Sequence, residues 1–178
     1  MVQTAVEMAD KLGDSRAVSL AAVARALNVR TPSLYNHVNG ADDLQYGMAL
    51  YATRQLIDRI QEASGGLVGR EALTATATAY RQFAQQHPGI YPLVAKAPDA
   101  EQAELARLAG TLLQFLLLIL ASLGLEGENA LHAVRGLRAI LHGFVSLEAA
   151  DGFKFELDRE ESFRRLVRTY IEGLAEKS

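Results

Sequence analysis

Residues 19–38, SLAAVARALNVRTPSLYNHV, hold two short helical patterns separated by only three residues, Asn28-Val29-Arg30. So short a connector fits a tight helix-turn-helix and little else. Ser19 stands where an N-cap is needed, and Leu20, Val23, Ala24 and Leu27 recur at i, i+3, i+4 and i+7 on one helical face. Asn28 falls where that helix must end, and asparagine tolerates the left-handed backbone such a turn requires. Thr31-Pro32 opens the second helix as a cap residue followed by proline at the first helical position. Its apolar positions are Leu34, Tyr35 and Val38, which leaves Thr31, Ser33, Asn36 and His37 pointing outward. Hydrogen-bonding side chains on a short exposed helix suit contact with base edges in a major groove.

The charge around this stretch agrees with that reading. The chain carries a net charge of −3, yet no acidic residue lies between Ser15 and Ala41, where Arg16, Arg25 and Arg30 stand. Salt screens the more distant carboxylates over about 8–10 Å, so this segment is a local positive zone able to attract phosphate. With 178 residues, 49% of them apolar, the chain can bury a core in one or two domains. Four prolines and no strongly alternating stretch indicate an all-α fold. Cysteine is absent, which excludes disulfides and thiolate chemistry and points to a reducing compartment. No basic, apolar-cored leader precedes the first helical pattern, so a cytoplasmic location is expected.

Outward from the helix-turn-helix, Val2–Leu12 reads as a first helix with Ala5, Met8, Ala9 and Leu12 on its apolar side and Gly13 closing it. Asn39 with Asp42 resembles a capping box for a longer helix that runs to about Ala63. Gly65-Gly66 makes the clearest break, and the domain boundary is placed there. Beyond it come helices from Glu71 to Gln86, Ala100 to Leu123 and Glu128 to Ala149. A last helix is capped by Asp158 with Glu161 three residues on. Pro92 and Pro98 bracket a short irregular connection. About nine helices result, a three-helix head followed by a helical bundle.

Other chemistries find little support. Leu112–Leu123 is strongly apolar, but 12 helical residues span roughly 18 Å against a hydrocarbon core of about 30 Å. A core helix of the bundle is the expectation, with no membrane partner. His87, His132 and His142 show no metal-ligand spacing, and no phosphate-binding loop, Ser-His-Asp set or carboxylate pair stands out. Neither a cofactor nor an enzymatic activity is therefore expected. A helical carrier or enzyme with an incidental helix-turn-helix is the alternative, and it requires a polar constellation that the bundle segments lack.

The order of helix, helix-turn-helix, linking helix and larger helical domain, together with LAAVARALNVRTPSLYNHV, resembles the tetracycline-repressor (TetR) family of dimeric transcriptional regulators. Ala24, Leu27, Val29, the Thr-Pro-Ser-Leu-Tyr run and His37 fit the family pattern in register. The segment LRAILHGFVSLEAADGF is similar to a branch with a Trp-His-Gly signature, retaining His142-Gly143 and Leu147-Glu148 without the tryptophan. The resemblance implies a helix-turn-helix DNA-binding domain over 1–45, a linking helix over 46–64, and a ligand-binding and dimerisation domain over 65–178. It implies a homodimer on double-stranded DNA with a palindromic operator, most simply a repressor released by a small-molecule effector. Carried over by position, Arg30, Thr31, Ser33 and Asn36 face bases or nearby backbone. Tyr35, His37 and the helix start at Asn39 contact phosphates, and Arg25 adds charge. The family commonly has a lysine where Ala41 stands and a basic arm before the first helix, so phosphate anchorage is expected to be thin. Tyr80, Phe83, His87, Tyr91 and Phe115 are candidates to line an effector cavity, each also readable as ordinary core. His132, Gly136, Ala139, Gly143, Ser146 and Ala150 form a stripe at spacings of 4, 3, 4, 3 and 4. That stripe suits close helix packing, within the chain or, as the family's last two helices suggest, across a dimer.

Overall fold

The computed structural model describes residues 1–99 and 101–175. Nine α-helices and no strand occur among the described residues, which bears out the all-α expectation. They are α1 (Val2–Leu12), α2 (Leu20–Ala26), α3 (Thr31–Leu34), α4 (Ala41–Ser64), α5 (Gly69–Gln86), α6 (Tyr91–Ala95), α7 (Ala103–Ala121), α8 (Gly127–Ala149) and α9 (Arg159–Ala175). The expected start of the seventh helix at Ala100 lies outside the described residues. The chain divides into two compact units, one of residues 1–55 with 86–109 and one of 56–85 with 110–178.

In the first unit, α1 ends where expected, with Gly13 in the left-handed conformation at φ 71°. Its buried face differs from the expected one. Ala5, Val6 and Ala9 are buried, whereas Leu12 is 57% exposed. Val2, Ala5, Val6 and Ala9 make the true i, i+3, i+4, i+7 stripe, and a side chain at Gly47 of α4 would press on Val2. A 3-10 turn over Ser15–Ala17, capped by Asp14, joins α1 to α2. Met48, Leu44, Val23 and Ile90 are among the fully buried side chains of this unit. Where Pro92 suggested an irregular connection, the five-residue α6 forms, because proline is tolerated in a helix's first turn.

The turn His87 to Ile90 is held against α1. Asp10 Oδ2 lies 2.7 Å from His87 Nδ1, and Asp10 Oδ1 accepts from the Gly89 N–H at 3.1 Å. The Gly89 carbonyl in turn accepts from the Ser15 N–H at 3.1 Å.

In the second unit, Leu73, Phe83, Ile60, Leu120 and Leu141 form the deepest layer. Arg81 of α5 is the chief buried cation, its side chain 7% exposed. Its Nε and Nη2 donate to the two oxygens of Glu148 on α8 at 3.0 and 2.8 Å, and its Nη1 donates to Glu160 on α9 at 2.6 Å. The guanidinium also stacks over Phe144 and Phe163, 5.3 and 4.7 Å from the ring centroids. The Arg81 hydrogen bond holds the Glu148 carboxyl below the usual carboxylate range, and burial opposes it. Asp158 Oδ1 accepts from the Glu160 N–H at 2.9 Å, as a cap does. The capping box is nevertheless incomplete, because Glu161 pairs with Arg164 and Arg165 instead of reaching back.

The apolar seventh helix corrects an expectation. α7 is 19 residues long, about 28 Å, so length and composition alone would let it cross a membrane. Only 22% of its most apolar window is buried within the chain, and Leu118 is 72% exposed. It is a half-buried helix rather than one enclosed on all sides. Long leucine runs satisfy the pattern of a core helix whether or not the chain itself covers every face.

Candidate nucleic-acid interface

Ser19 Oγ accepts from the Ala22 N–H at 3.2 Å, so α2 starts as its sequence requires. Leu20, Val23 and Ala24 are buried, and Leu27 closes the helix with its N–H on the Val23 carbonyl. Asn28 follows in the left-handed region at φ 54°. The Val29 N–H then reaches back to the Ala24 carbonyl at 3.0 Å, which satisfies the end of α2 and turns the chain. The N-cap of α3 is Arg30 rather than Thr31, and Thr31 is the first helical residue. The shift has a simple origin, since proline serves in either of the first two helical positions.

α3 holds its α-helical bonding for only four residues. Past Leu34 the chain continues in tighter turns, with the His37 N–H on the Leu34 carbonyl at 2.9 Å. Leu34 and Val38 are the two buried side chains of this stretch, 4% and 6% exposed. They pin the segment to the head. Ser33, Asn36 and His37 are exposed and Thr31 is half-exposed, as the pattern requires. Tyr35 departs from the expectation of a core position, at 57% exposure. Two neighbouring anchors suffice for so short an element, and the ring is left to the outer surface with its hydroxyl. Arg25, near the end of α2, and Arg30, the N-cap of α3, are exposed as well.

The long helix starts later than Asn39. α4 begins at Ala41 behind Gly40, which adopts φ 129°. The carboxylate that reaches back is Asp43, not Asp42, and it accepts from the Asn39 N–H at 3.0 Å and from Asn39 Nδ2 at 3.5 Å. The backbone N–H of Asn39 is therefore already bonded to an internal anion. Asp14 at the other edge of the zone is also occupied, by Arg16 at 3.2 Å. Asp14 thus pairs with Arg16 and Asp43 with Asn39, which leaves Arg25 and Arg30 as the exposed cations of the helix-turn-helix.

The residues considered for an effector site are placed differently. Tyr80 and Phe83 are buried in the second unit, where Phe115 of α7 is half-buried. Tyr91 is buried in the first unit, where His87 pairs with Asp10. The second unit also carries a groove of about 530 Å³ between α5 and α9, lined by Arg70, Thr74, Phe163, Val167, Arg168 and Ile171 among others. Two contact networks had no forewarning in the sequence reading. His87-Pro88-Gly89 reads as a helix terminator, and Arg81 as one polar residue of an amphipathic helix. Only their partners, at least 67 residues away, give them a role.

Along the α8 stripe, Gly136 is occupied from within the chain. A Cβ there would overlap the Tyr170 hydroxyl, which donates to the Ala133 carbonyl at 2.6 Å. Gly143 has nothing within 4 Å of the same position, and Ala139 is exposed.

A buried helical scaffold presenting an exposed, acid-free helix-turn-helix defines a DNA-binding regulator of the all-helical class. The comparisons place it within that class. The profile of the tetracyclin repressor-like C-terminal domain matches residues 73–170. The HTH-type transcriptional regulator YobS of Bacillus subtilis (strain 168) is 36% identical over 174 residues, 98% of this chain and 90% of its own. The HTH-type transcriptional regulator Rv0681 of Mycobacterium tuberculosis is 30% identical over 183 aligned positions, 100% of this chain and 81% of its own. The fold is shared by the TetR family transcriptional regulator PfmR of Thermus thermophilus, with a TM-score of 0.69 at 20% identity, covering 96% of this chain and 97% of that one. The chain belongs to the tetracycline-repressor family of helix-turn-helix transcriptional regulators.

Proposed function

We propose that the protein is a homodimeric repressor that reads a palindromic operator with α3 and is released by a small, largely apolar effector. The observation that carries this is the exposed row Ser33, Asn36 and His37, held by buried Leu34 and Val38 on a three-residue turn. Arg30, Thr31, Ser33 and Asn36 meet base edges or adjacent sugars, and Tyr35, His37 and Arg25 meet phosphates. Asn39 has its N–H committed to Asp43, so its phosphate contact falls to the remaining side-chain amide hydrogen. In a dimer the two heads stand about 34–36 Å apart, one turn of duplex.

Dimerisation uses the exposed face of α8 around Ala139 and Gly143, flanked by Leu131 and Leu147 at 49% and 52% exposure. Gly136 is excluded from that surface because Tyr170 occupies it. The effector is received among Tyr80, Phe83 and Phe115 of the second unit. Two of these are buried, so the effector is enclosed on entry and selects a state that admits it. It induces by preferring a conformation that bound DNA disfavours. The site is regulatory rather than enzymatic, and a DNA-bound role sets the protein in the cytoplasm.

The test is gel retardation of the promoter fragment beside its own gene, at several salt concentrations. Sequence-selective binding whose logarithm falls linearly with log salt is expected. Equal retention of unrelated DNA, or no retention at low salt, refutes the reading.

A further inference from the structure

We infer that Asp10, His87 and Gly89 form a positioning joint that fixes α1, and through it the DNA-reading helices, against the turn 87–90. The inference rests on the reading of α2 and α3 as the DNA-reading element. One four-residue turn grips the head at two places. Asp10, in the last turns of α1, takes the His87 ring at 2.7 Å and the Gly89 N–H at 3.1 Å. Ser15, in the following 3-10 turn, gives its N–H to the Gly89 carbonyl at 3.1 Å. Asp10 and His87 are largely withdrawn from water, their side chains 18% and 23% exposed. Hydrogen bonds to a carboxylate in such surroundings are the strong kind, and a partner left without one bears the desolvation cost alone.

Sterics add an independent requirement. Gly89 is buried, and a Cβ built on it would overlap the Ala9 carbonyl and crowd the Asp10 amide. Only a residue without a side chain lets the turn lie this close to α1. The clash is with backbone of a helix, so it cannot be relieved by a rotamer change.

His87 directly follows Gln86, the last residue of α5, and α5 also carries Arg81 and the buried aromatics Tyr80 and Phe83. α1 packs on the 3-10 turn and on α2, and α2 on α3. A displacement of the turn 87–90 must therefore carry α1 with it or break the three hydrogen bonds together. The three residues are spent on one another, so their role is to position, and contact with bases is left to α3.

The test uses the full chain and duplexes carrying the palindrome selected from a random pool, with the half-site separation varied from two base pairs shorter to two longer. Wild type is expected to prefer one separation by about tenfold or more over its neighbours. Gly89→Ala and Asp10→Ala are expected to flatten that preference severalfold while keeping the base preference within each half-site. Asp10→Asn, which keeps an acceptor for the Gly89 N–H, falls between. A loss of binding by the same factor at every separation means general destabilisation and overturns the inference. A second measurement is independent of DNA, namely hydrogen exchange of residues 5–18. Faster exchange of the Ser15 amide and of α1 in Asp10→Ala, with α8 unchanged, supports the joint, and unchanged exchange overturns it. If wild type binds no DNA selectively, the reading of the head fails, while hydrogen exchange still decides the joint.

Discussion

Asn36 and Arg25 differ in what they can report to a partner. Asn36 presents both a donor and an acceptor from an exposed position on the reading segment, the pair that matches the major-groove edge of adenine. Arg25 presents a delocalised cation at the end of α2, which any phosphate satisfies. Asn36→Ala should therefore cost about 1–3 kcal/mol on the preferred sequence and little on others. Arg25→Ala should weaken all sequences alike and reduce the salt slope by about one. Titrations of matched and mismatched duplexes at three salt concentrations separate these outcomes, and indistinguishable effects would refute the assigned roles. Individual residues were legible in sequence where the signal is local: the Ser19 cap, the left-handed Asn28 and the Gly13 terminus all stand as their neighbours demand. The identity of the residue reaching back to Asn39 was not, because Asp42 and Asp43 are adjacent carboxylates. Only the actual start of α4, fixed by Gly40, decides between them.

Among the elements, α8 and α9 illustrate how one pattern can serve two purposes. The spacing of small residues on α8 shows that something approaches closely, but it cannot say from which molecule. At Gly136 the answer is the ring of Tyr170 in the same chain. Gly136→Ala gains about 1 kcal/mol in helix propensity yet displaces that ring and its hydrogen bond to Ala133. It is expected to be destabilising on balance, and Tyr170→Phe alone to cost about 1 kcal/mol. The double variant should cost less than the sum, since the clash and the lost bond involve the same atoms. A double-mutant cycle by urea denaturation measures that coupling, and strict additivity would exclude it. The burial of α7 belongs to the same scale. Its leucines were legible as a helix, but which of them the chain covers depends on neighbours contributed by distant segments.

For the molecule as a whole, the second unit is tied at its centre by one guanidinium. Arg81 joins α5 to α8 and α9 through Glu148 and Glu160, and it holds the Glu148 carboxyl below its ordinary value. Because that value is lowered in the folded state, the stabilisation is present in full above the unfolded value of about 4.3. It is lost as the pH falls through the lower, folded value. Chemical denaturation between pH 7 and pH 3 should show wild-type stability declining in that acid range. Glu148→Gln should be weaker at neutral pH by up to about 3 kcal/mol, with a flatter acid limb. An unchanged acid limb would show that the decline comes from other carboxylates.

The chain by itself determined the helical kind of the elements, the helix-turn-helix, and the outward positions of Ser33, Asn36 and His37. Those features depend on residues within a turn or two of one another, where capping, periodicity and glycine or asparagine conformation act directly. Tertiary structure alone decided that Tyr35 is exposed, that α7 is half-covered, and that Gly136 is filled from within. It alone brought Arg81 to Glu148 and His87 to Asp10. Those outcomes depend on which distant backbones meet, and a close approach such as that of Gly89 to α1 is a property of two segments together.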